Sequence, residues 1–205
     1  MLKNLGNFKF IGDLSLEDAD LLSYYGKKST SILEYGVGGS THILAQCMPS
    51  TLISVDTSAA WIDITQKRLN KIDLRTNPKF YVFNDYINEN LKIQFDLIFV
   101  DGLWEHRKNF AVRVWPSLSV NGVMIFHDTR RDFDYAIAME SIKDFYLEVQ
   151  TIEVNARASN DKSSNLTVIH KKNKEPYVNW NDTENKPKWA YGDLLYDGDL
   201  WQQES

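Results

Sequence analysis

Four acidic positions and one glycine-rich turn carry the chemistry that this sequence can do. Glu34-x-Gly36-x-Gly38-Gly39-Ser40-Thr41 follows the apolar run Ile32-Leu33. Glycines at such a turn let backbone approach a ligand closely and take positive φ where the chain needs it. Asp56 closes the next apolar run, Thr51–Val55, about twenty residues on. Asp101 follows Phe95–Val100, and Asp128 follows Val123–His127. In an open parallel sheet all four positions fall at the carboxyl ends of strands, where such sheets bind nucleotide-type cofactors. A carboxylate at position 56 is placed to accept hydrogen bonds from both hydroxyls of a ribose. A carboxylate pair such as Asp101 and Asp128 suits a hard divalent cation of the Mg2+ kind, which takes one or two carboxylates and completes its shell with water and substrate oxygens.

The glycine turn has two readings. The dinucleotide fingerprint G-x-G-x-x-G requires a third glycine at position 41, where Thr41 stands. Glu34, two residues before the first glycine, suits a cofactor that presents an amino group and a sulfonium there better than one presenting a pyrophosphate. S-Adenosylmethionine is such a cofactor. Gly36, Gly38, Ser40 and Thr41 complete that expected pocket, with Ser40 or Thr41 expected as the helix N-cap. Asp101 is expected to reach the same cofactor.

These residues need elements to position them. Leu14 to Tyr25 reads as an amphipathic helix capped at Ser15. Strand candidates follow at Ile32–Tyr35, Leu52–Val55, Phe80–Phe83, Leu97–Val100 and Val123–Phe126, mostly separated by helical segments. A helix near Asp132 to Phe145 precedes two last strands, Val149–Val154 and Leu166–His170, expected to pair as an antiparallel hairpin. The predicted fold is α/β: a doubly wound, Rossmann-like sheet of seven strands, mostly parallel, ending in that hairpin. The expected division is a domain over residues 1–172 and an extension over 173–205, whose tryptophans and tyrosines are expected to pack on the domain or a partner.

Composition narrows the classes further. The chain has 205 residues, 43% of them hydrophobic and 13% aromatic, enough for one substantial core. A formal net charge of −5 gives no overall attraction to nucleic acid. Cys47 is the one cysteine, so no intrachain disulfide exists and a cytoplasmic setting is expected. No apolar run is long enough to span a membrane. Assembly into a homo-oligomer is left open.

Taken together, Glu34-x-Gly36-x-Gly38, Asp56, Val100-Asp101-Gly102 and Phe126-His127-Asp128 resemble a small class I S-adenosylmethionine-dependent methyltransferase. Within that class the chain resembles O-methyltransferases of the macrocin type and relatives of cephalosporin-biosynthesis proteins, over roughly residues 15 to 170. The resemblance implies methyl transfer to a hydroxyl of a small acceptor, sugar or sugar-like, with Mg2+ held by Asp101 and Asp128 and with the polar pair Asn84-Asp85, just past the third strand candidate, as the contact for the adenine. Two positions depart from the group: Trp104 stands where it usually carries histidine, and Thr129 where catechol-type enzymes carry a metal-binding asparagine. His106, two residues on from Trp104, is the expected general base, making Asp101, His106 and Asp128 the expected catalytic set. His127 is expected to orient Asp128. Arg107, Arg113, Arg130 and Arg131 are expected to gather at the active edge, where they could attract an anionic acceptor. The competing readings are an N-methyltransferase without metal, a nicotinamide-dependent oxidoreductase, and a protein that keeps the fold without the activity.

Overall fold

In the computed structural model, residues 11–74, 77–88, 92–154 and 164–172 are described. The aromatic stretch from Asn173 lies outside them. Along the chain run α1 (Leu16–Gly26), β1 (Ser31–Tyr35), α2 (Gly39–Gln46), β2 (Thr51–Asp56), α3 (Ala59–Leu69), β3 (Lys79–Val82) and α4 (Phe83–Asn88). Then come β4 (Phe95–Val100), α5 (Trp104–Val114), β5 (Leu118–Phe126), α6 (Asp132–Ile142), β6 (Val149–Val154) and β7 (Thr167–Lys171). The seven strands form one sheet in the order β3-β2-β1-β4-β5-β7-β6. The first five are parallel, while β7 runs antiparallel to both β5 and β6. This is the expected doubly wound fold, hairpin included. The order reverses direction between β1 and β4, so the crevice for a ligand opens there.

Side chains along each central strand alternate between two apolar layers, as the two-residue period of a strand requires. Leu33, Tyr35, Ile98 and Val100 pack on one face with Phe110, Trp115 and Met139. Ile32, Leu97 and Phe99 pack on the other with Leu22, Ile43 and Leu44. Both layers are buried, so the strands read as near-continuous apolar runs, interrupted by Glu34 and Ser54.

Three boundaries differ from expectation. The third strand ends at Val82, and Phe83 instead begins α4, where its ring is buried. Helix α6 stops at Ile142 and tightens into a 3-10 segment over Lys143–Glu148. Helix α2 starts at Gly39, which places Ser40 and Thr41 inside its first turn and not at its cap. At α1 the expected cap is present: Ser15 Oγ accepts from the Asp18 N–H at 3.0 Å, and Asp18 Oδ2 accepts from the Ser15 N–H at 3.0 Å.

Candidate active site

The glycine turn is shaped by a close approach of two backbones. Gly36 has φ of +103°, and a Cβ there would lie 2.5 Å from the Gly102 nitrogen and 2.6 Å from the Asp101 carbonyl carbon. Only glycine satisfies both the dihedral and the contact. The loop after β1 is thereby laid directly against the loop after β4, which carries Asp101. Gly38 differs, because a Cβ there would meet only Trp61 Nε1 at 3.5 Å, leaving the turn open on that side. The Gly38 N–H donates to Thr41 Oγ1 at 2.9 Å, and Trp61 Nε1 donates to the Val37 carbonyl. These bonds fix the turn from within α2 and from α3.

Glu34 lies beneath the turn and is fully buried. Ser40 Oγ donates to its Oε1 at 2.5 Å and Ser54 Oγ to its Oε2 at 2.7 Å. Burial pushes its carboxyl pKa up to about 7, against the lowering effect of those hydroxyls. Both oxygens are thus engaged by the protein, so Glu34 acts on the crevice through Ser40 and the first turn of α2. Asp56, at the end of β2, accepts from the Val37 N–H at 2.9 Å and the Ser58 N–H at 2.8 Å. It braces the turn while its partly exposed carboxylate retains lone pairs for a ribose. Ser58, not Asp56, caps α3, accepting from the Trp61 N–H. Asp85 is exposed in the first turn of α4, at the same edge of the sheet and beyond β2.

Asp101 and Asp128 do come together. Their carboxylates form a cluster with His127 in which one potential ligand atom from each lies within 4.8 Å of the others. His127 is 2% exposed, with Nδ1 at 2.8 Å from Asp101 Oδ1 and 3.7 Å from Asp128 Oδ1. It therefore orients Asp101 and not Asp128. On its far side Nε2 faces Asp18 Oδ2 at 3.8 Å, an ion-pair separation too long for a hydrogen bond. Burial disfavours the imidazolium, but the bond to Asp101 and the carboxylates of Asp18 and Asp128 outweigh it and push the His127 pKa up to about 10. Burial raises the Asp101 pKa, with His127 and Arg107 opposing. Burial also works to raise that of Asp18, yet His127, Ser164 and Ser15 hold it well below the usual carboxylate range.

Arg107, expected at the active edge, is 6% exposed at the centre of the cluster. Its Nε donates to the Gly102 carbonyl at 2.7 Å, and Nη1 to Asp134 Oδ1 at 2.9 Å and the His127 carbonyl at 3.3 Å. Its Nη2 lies 3.1 Å from the Asp101 carbonyl and 3.3 Å from both Asp101 Oδ1 and Asp128 Oδ2. Arg131 reaches Asp128 and Asp134 as well. Arg113 is turned away, to the Ile87 carbonyl. Three of the four expected anion-attracting arginines are therefore bound internally. Asn165 Nδ2 donates to Asp128 Oδ1 at 3.2 Å, and the Asn165 N–H donates to Asp18. Asp128 itself takes a φ of +64°.

His106 does not join this cluster. Its ring stacks on Phe83, centroids 4.7 Å apart and planes 26° from parallel. Among the described residues no hydrogen bond or ion pair links its imidazole to Asp101 or Asp128. Helix α5 starts at Trp104, and its turn carries His106 to the side of α4 while Arg107 points into the cluster. Trp104 is half exposed and meets Phe133 edge-on at 5.3 Å; Phe133 and Leu103 are half exposed too. This apolar rim sits on the helices that follow the Asp101 and Asp128 strands.

The residues suit an S-adenosylmethionine cofactor in that the turn is held open at Gly38 and flanked by Asp56. They do not suit a divalent cation at Asp101 and Asp128. Protonated groups of the chain already occupy Asp101 Oδ1 and both Asp128 oxygens, and Nη2 of Arg107 stands between the two carboxylates. Asp18, Asn165 and Phe133 were not singled out for the site from sequence. Asp18 looked like a helix-capping acid, and the link from α1 to His127 is visible only once the layers are stacked. His170, without a partner from spacing alone, has Nε2 at 2.7 Å from Glu153 Oε1 across the β6–β7 pair.

Comparison with known proteins agrees with this geometry. Residues 33–129 match a family model described as a methyltransferase domain. No curated protein sequence matches the chain. Among solved structures, an O-methyltransferase from Bacillus cereus in complex with SAH superposes with a TM-score of 0.59 at 19% identity, covering 78% of this chain and 83% of that one. The O-methyltransferase TomG from Streptomyces achromogenes, involved in tomaymycin synthesis and solved with SAM, gives 0.62 at 14% identity, covering 78% and 82%. The N-methyltransferase NodS from Bradyrhizobium japonicum, solved with S-adenosyl-L-homocysteine, gives 0.54 at 15%, covering 76% and 86%. No described helix is long and apolar enough to cross a membrane. Sequence motif, strand order and domain match agree: residues 33–129 are similar to a methyltransferase domain, and the sheet has the fold of these solved methyltransferases.

Proposed function

We propose that this protein transfers a methyl group from S-adenosylmethionine to a hydroxyl of a small acceptor, with Asp101 as the group that takes the proton. The observation that carries this reading is the contact of Gly36 with the Asp101–Gly102 backbone, which sets the cofactor turn and the Asp101 carboxylate on one crevice. When bound, the cofactor supplies a methyl carbon on a sulfonium, open to attack by an acceptor oxygen. The chain's part is to hold, align and deprotonate. Asp56 holds the ribose hydroxyls, the turn at Gly36 and Gly38 admits the methionine end, and Glu34 keeps the turn in shape through Ser40. Asp85 lies where it can face the adenine.

Both hydrogen bonds to the Asp101 carboxylate fall on Oδ1. Its Oδ2 accepts none among the described residues, and we assign it to the acceptor hydroxyl. As the oxygen–carbon bond forms and the carbon–sulfur bond breaks, the hydroxyl proton passes to Asp101. The raised pKa of this carboxyl makes it a better base than a free aspartate. Asp128 and Arg107 fix its position, and alignment accounts for much of the rate of such a displacement. His106, held against Phe83, has no part in the step. The rim of Leu103, Trp104 and Phe133 offers an apolar wall to the acceptor, which suits a hydroxylated ring of sugar or phenolic kind. An oxidoreductase role loses its footing at Thr41, which is buried with its hydroxyl spent on the turn, and the methyltransferase-domain match weighs against it.

Transfer of labelled methyl from S-adenosylmethionine to a panel of hydroxylated rings and matched amines tests this reading. Asp101→Asn is expected to lower kcat by at least about 100-fold on the hydroxyl acceptors. Labelling confined to amines would convert the assignment to N-methylation, and full activity in Asp101→Asn would remove the proposed base.

A further inference from the structure

The guanidinium of Arg107 occupies the one place at this edge where a bridging cation would sit. Its Nη2 is 3.3 Å from Asp101 Oδ1 and 3.3 Å from Asp128 Oδ2. We infer that Arg107 is a resident cation substituting for a divalent metal between Asp101 and Asp128, so that this site binds no Mg2+ or Mn2+. The inference rests on the reading that Asp101 and Asp128 line the reaction crevice, and it adds a positioning residue and a cofactor requirement to that reading.

Three observations support it. First, Mg2+ needs oxygens at about 2.0–2.1 Å in a near-octahedral shell, and of the four carboxylate oxygens of Asp101 and Asp128 all but Asp101 Oδ2 are committed among the described residues. Asp101 Oδ1 accepts from His127 Nδ1 and Arg107 Nη2, while Asp128 Oδ2 accepts from Arg107 and Arg131. His127 Nδ1, facing an acceptor-only carboxylate at 2.8 Å, carries a proton there and has no lone pair for a metal. Second, Arg107 cannot withdraw. Its other nitrogens are tied to the Gly102 and His127 carbonyls and to Asp134, and the side chain is almost wholly buried. Displacing it would strand a buried charge and leave Asp134, itself 4% exposed, with only Arg131 for company. Third, charge is within one unit of balance. The carboxylates of Asp18, Asp101, Asp128 and Asp134 face three cations: Arg107, Arg131 and the His127 imidazolium. Four carboxylates against three cations leave a single negative charge, which a divalent ion would overcompensate to a net positive one beside Arg107 and His127.

Arg107 also joins segments that the reaction must keep in register. One side chain bonds the loop after β4 through Asp101 and Gly102, the loop after β5 through His127 and Asp128, and the start of α6 through Asp134. A guanidinium suits this because its five N–H donors diverge in one plane, whereas an ammonium is a point charge.

The test is titration of the full chain with Mn2+, following the free-ion signal by electron paramagnetic resonance, for the native protein, Arg107→Ala and Asp128→Asn. The native protein is expected to leave the Mn2+ signal unchanged at millimolar ion. Folded Arg107→Ala is expected to take up one Mn2+, and Asp128→Asn placed on top of it to lose that uptake. One Mn2+ bound by the native protein and lost in Asp128→Asn would overturn the inference. So would a folded Arg107→Ala that takes up none. If Arg107→Ala does not fold, the native titration decides alone, with Arg107→Lys as the folded variant expected to bind no ion. S-Adenosylhomocysteine binding, measured on the same native sample, separates failure of this inference from failure of the methyltransferase reading.

Discussion

His127 Nδ1 lies 2.8 Å from Asp101 Oδ1, which makes this imidazole the buried partner of a carboxylate and removes it from the list of free bases. With a pKa raised from 6.5 to about 10, it stabilises the fold fully below pH 6.5 and progressively less as pH rises toward 10. Over that window the slope approaches about 1.4 kcal/mol per pH unit. Denaturation of the native protein between pH 7 and 10 should show this loss, and His127→Gln should lack it while being less stable at pH 7 by about 3–5 kcal/mol. A flat native profile would show that His127 is neutral.

Glu34 gives the opposite-charge counterpart. Its pKa is raised from 4.5 to about 7, so the protonated side chain's contribution is complete below pH 4.5 and lost as pH rises through 7. Glu34→Gln, neutral throughout, is expected to be the more stable form at pH 8 by on the order of 1 kcal/mol or more, the advantage vanishing near pH 4. Its S-adenosylhomocysteine affinity should fall at least about tenfold, because a single amide oxygen cannot accept from the Ser40 and Ser54 hydroxyls as two carboxylate oxygens do, and the turn held through Ser40 loosens. Unchanged affinity would show that the hold of Glu34 on Ser40 does not shape the cofactor turn.

The two glycines of the turn should respond unequally to alanine. Gly36→Ala puts a methyl into the Asp101–Gly102 backbone at positive φ and should cost more than about 2 kcal/mol. Gly38→Ala meets only the Trp61 indole edge at 3.5 Å, so it should fold nearly normally and show its effect in cofactor affinity. Thermal melts with and without S-adenosylhomocysteine separate the two, and equal melting points would contradict the contact.

How much of this was legible in the sequence depends on how far each feature extends along the chain. Strands and their acidic ends were readable because an apolar run stopped by Asp56, Asp101 or Asp128 is a local signal. The final hairpin was readable too, from two short runs flanking a polar stretch. What failed were questions of direction. His106 and Arg107 are neighbours on one helix, so about 100° of rotation separates them, and sequence alone does not say which faces Asp101. Glu34 was read as touching the cofactor, but Ser54 of the neighbouring strand takes one of its oxygens, a contact set by strand register. The pairing of Asp18 with His127 joins residues more than a hundred positions apart and has no local signature.

Trp104 and Phe133 meet edge-on with both rings half exposed. If they form the acceptor wall, Trp104→Ala and Phe133→Ala should each raise acceptor KM about tenfold, near 1.4 kcal/mol. Stability should change by no more than about 0.5 kcal/mol and cofactor affinity should not change. Unaltered KM in both would place the acceptor elsewhere along the crevice.

The central claim, that the turn at Gly36 and the carboxylate of Asp56 form an S-adenosylmethionine pocket, is tested most directly by calorimetric titration of S-adenosylhomocysteine into the chelator-treated protein, with Asp56→Ala beside it. The account predicts one site per chain in the native protein, unaffected by added Mg2+, and loss of at least about tenfold in affinity in Asp56→Ala. No heat of binding in the native protein at millimolar ligand, or equal affinity in Asp56→Ala, would contradict it.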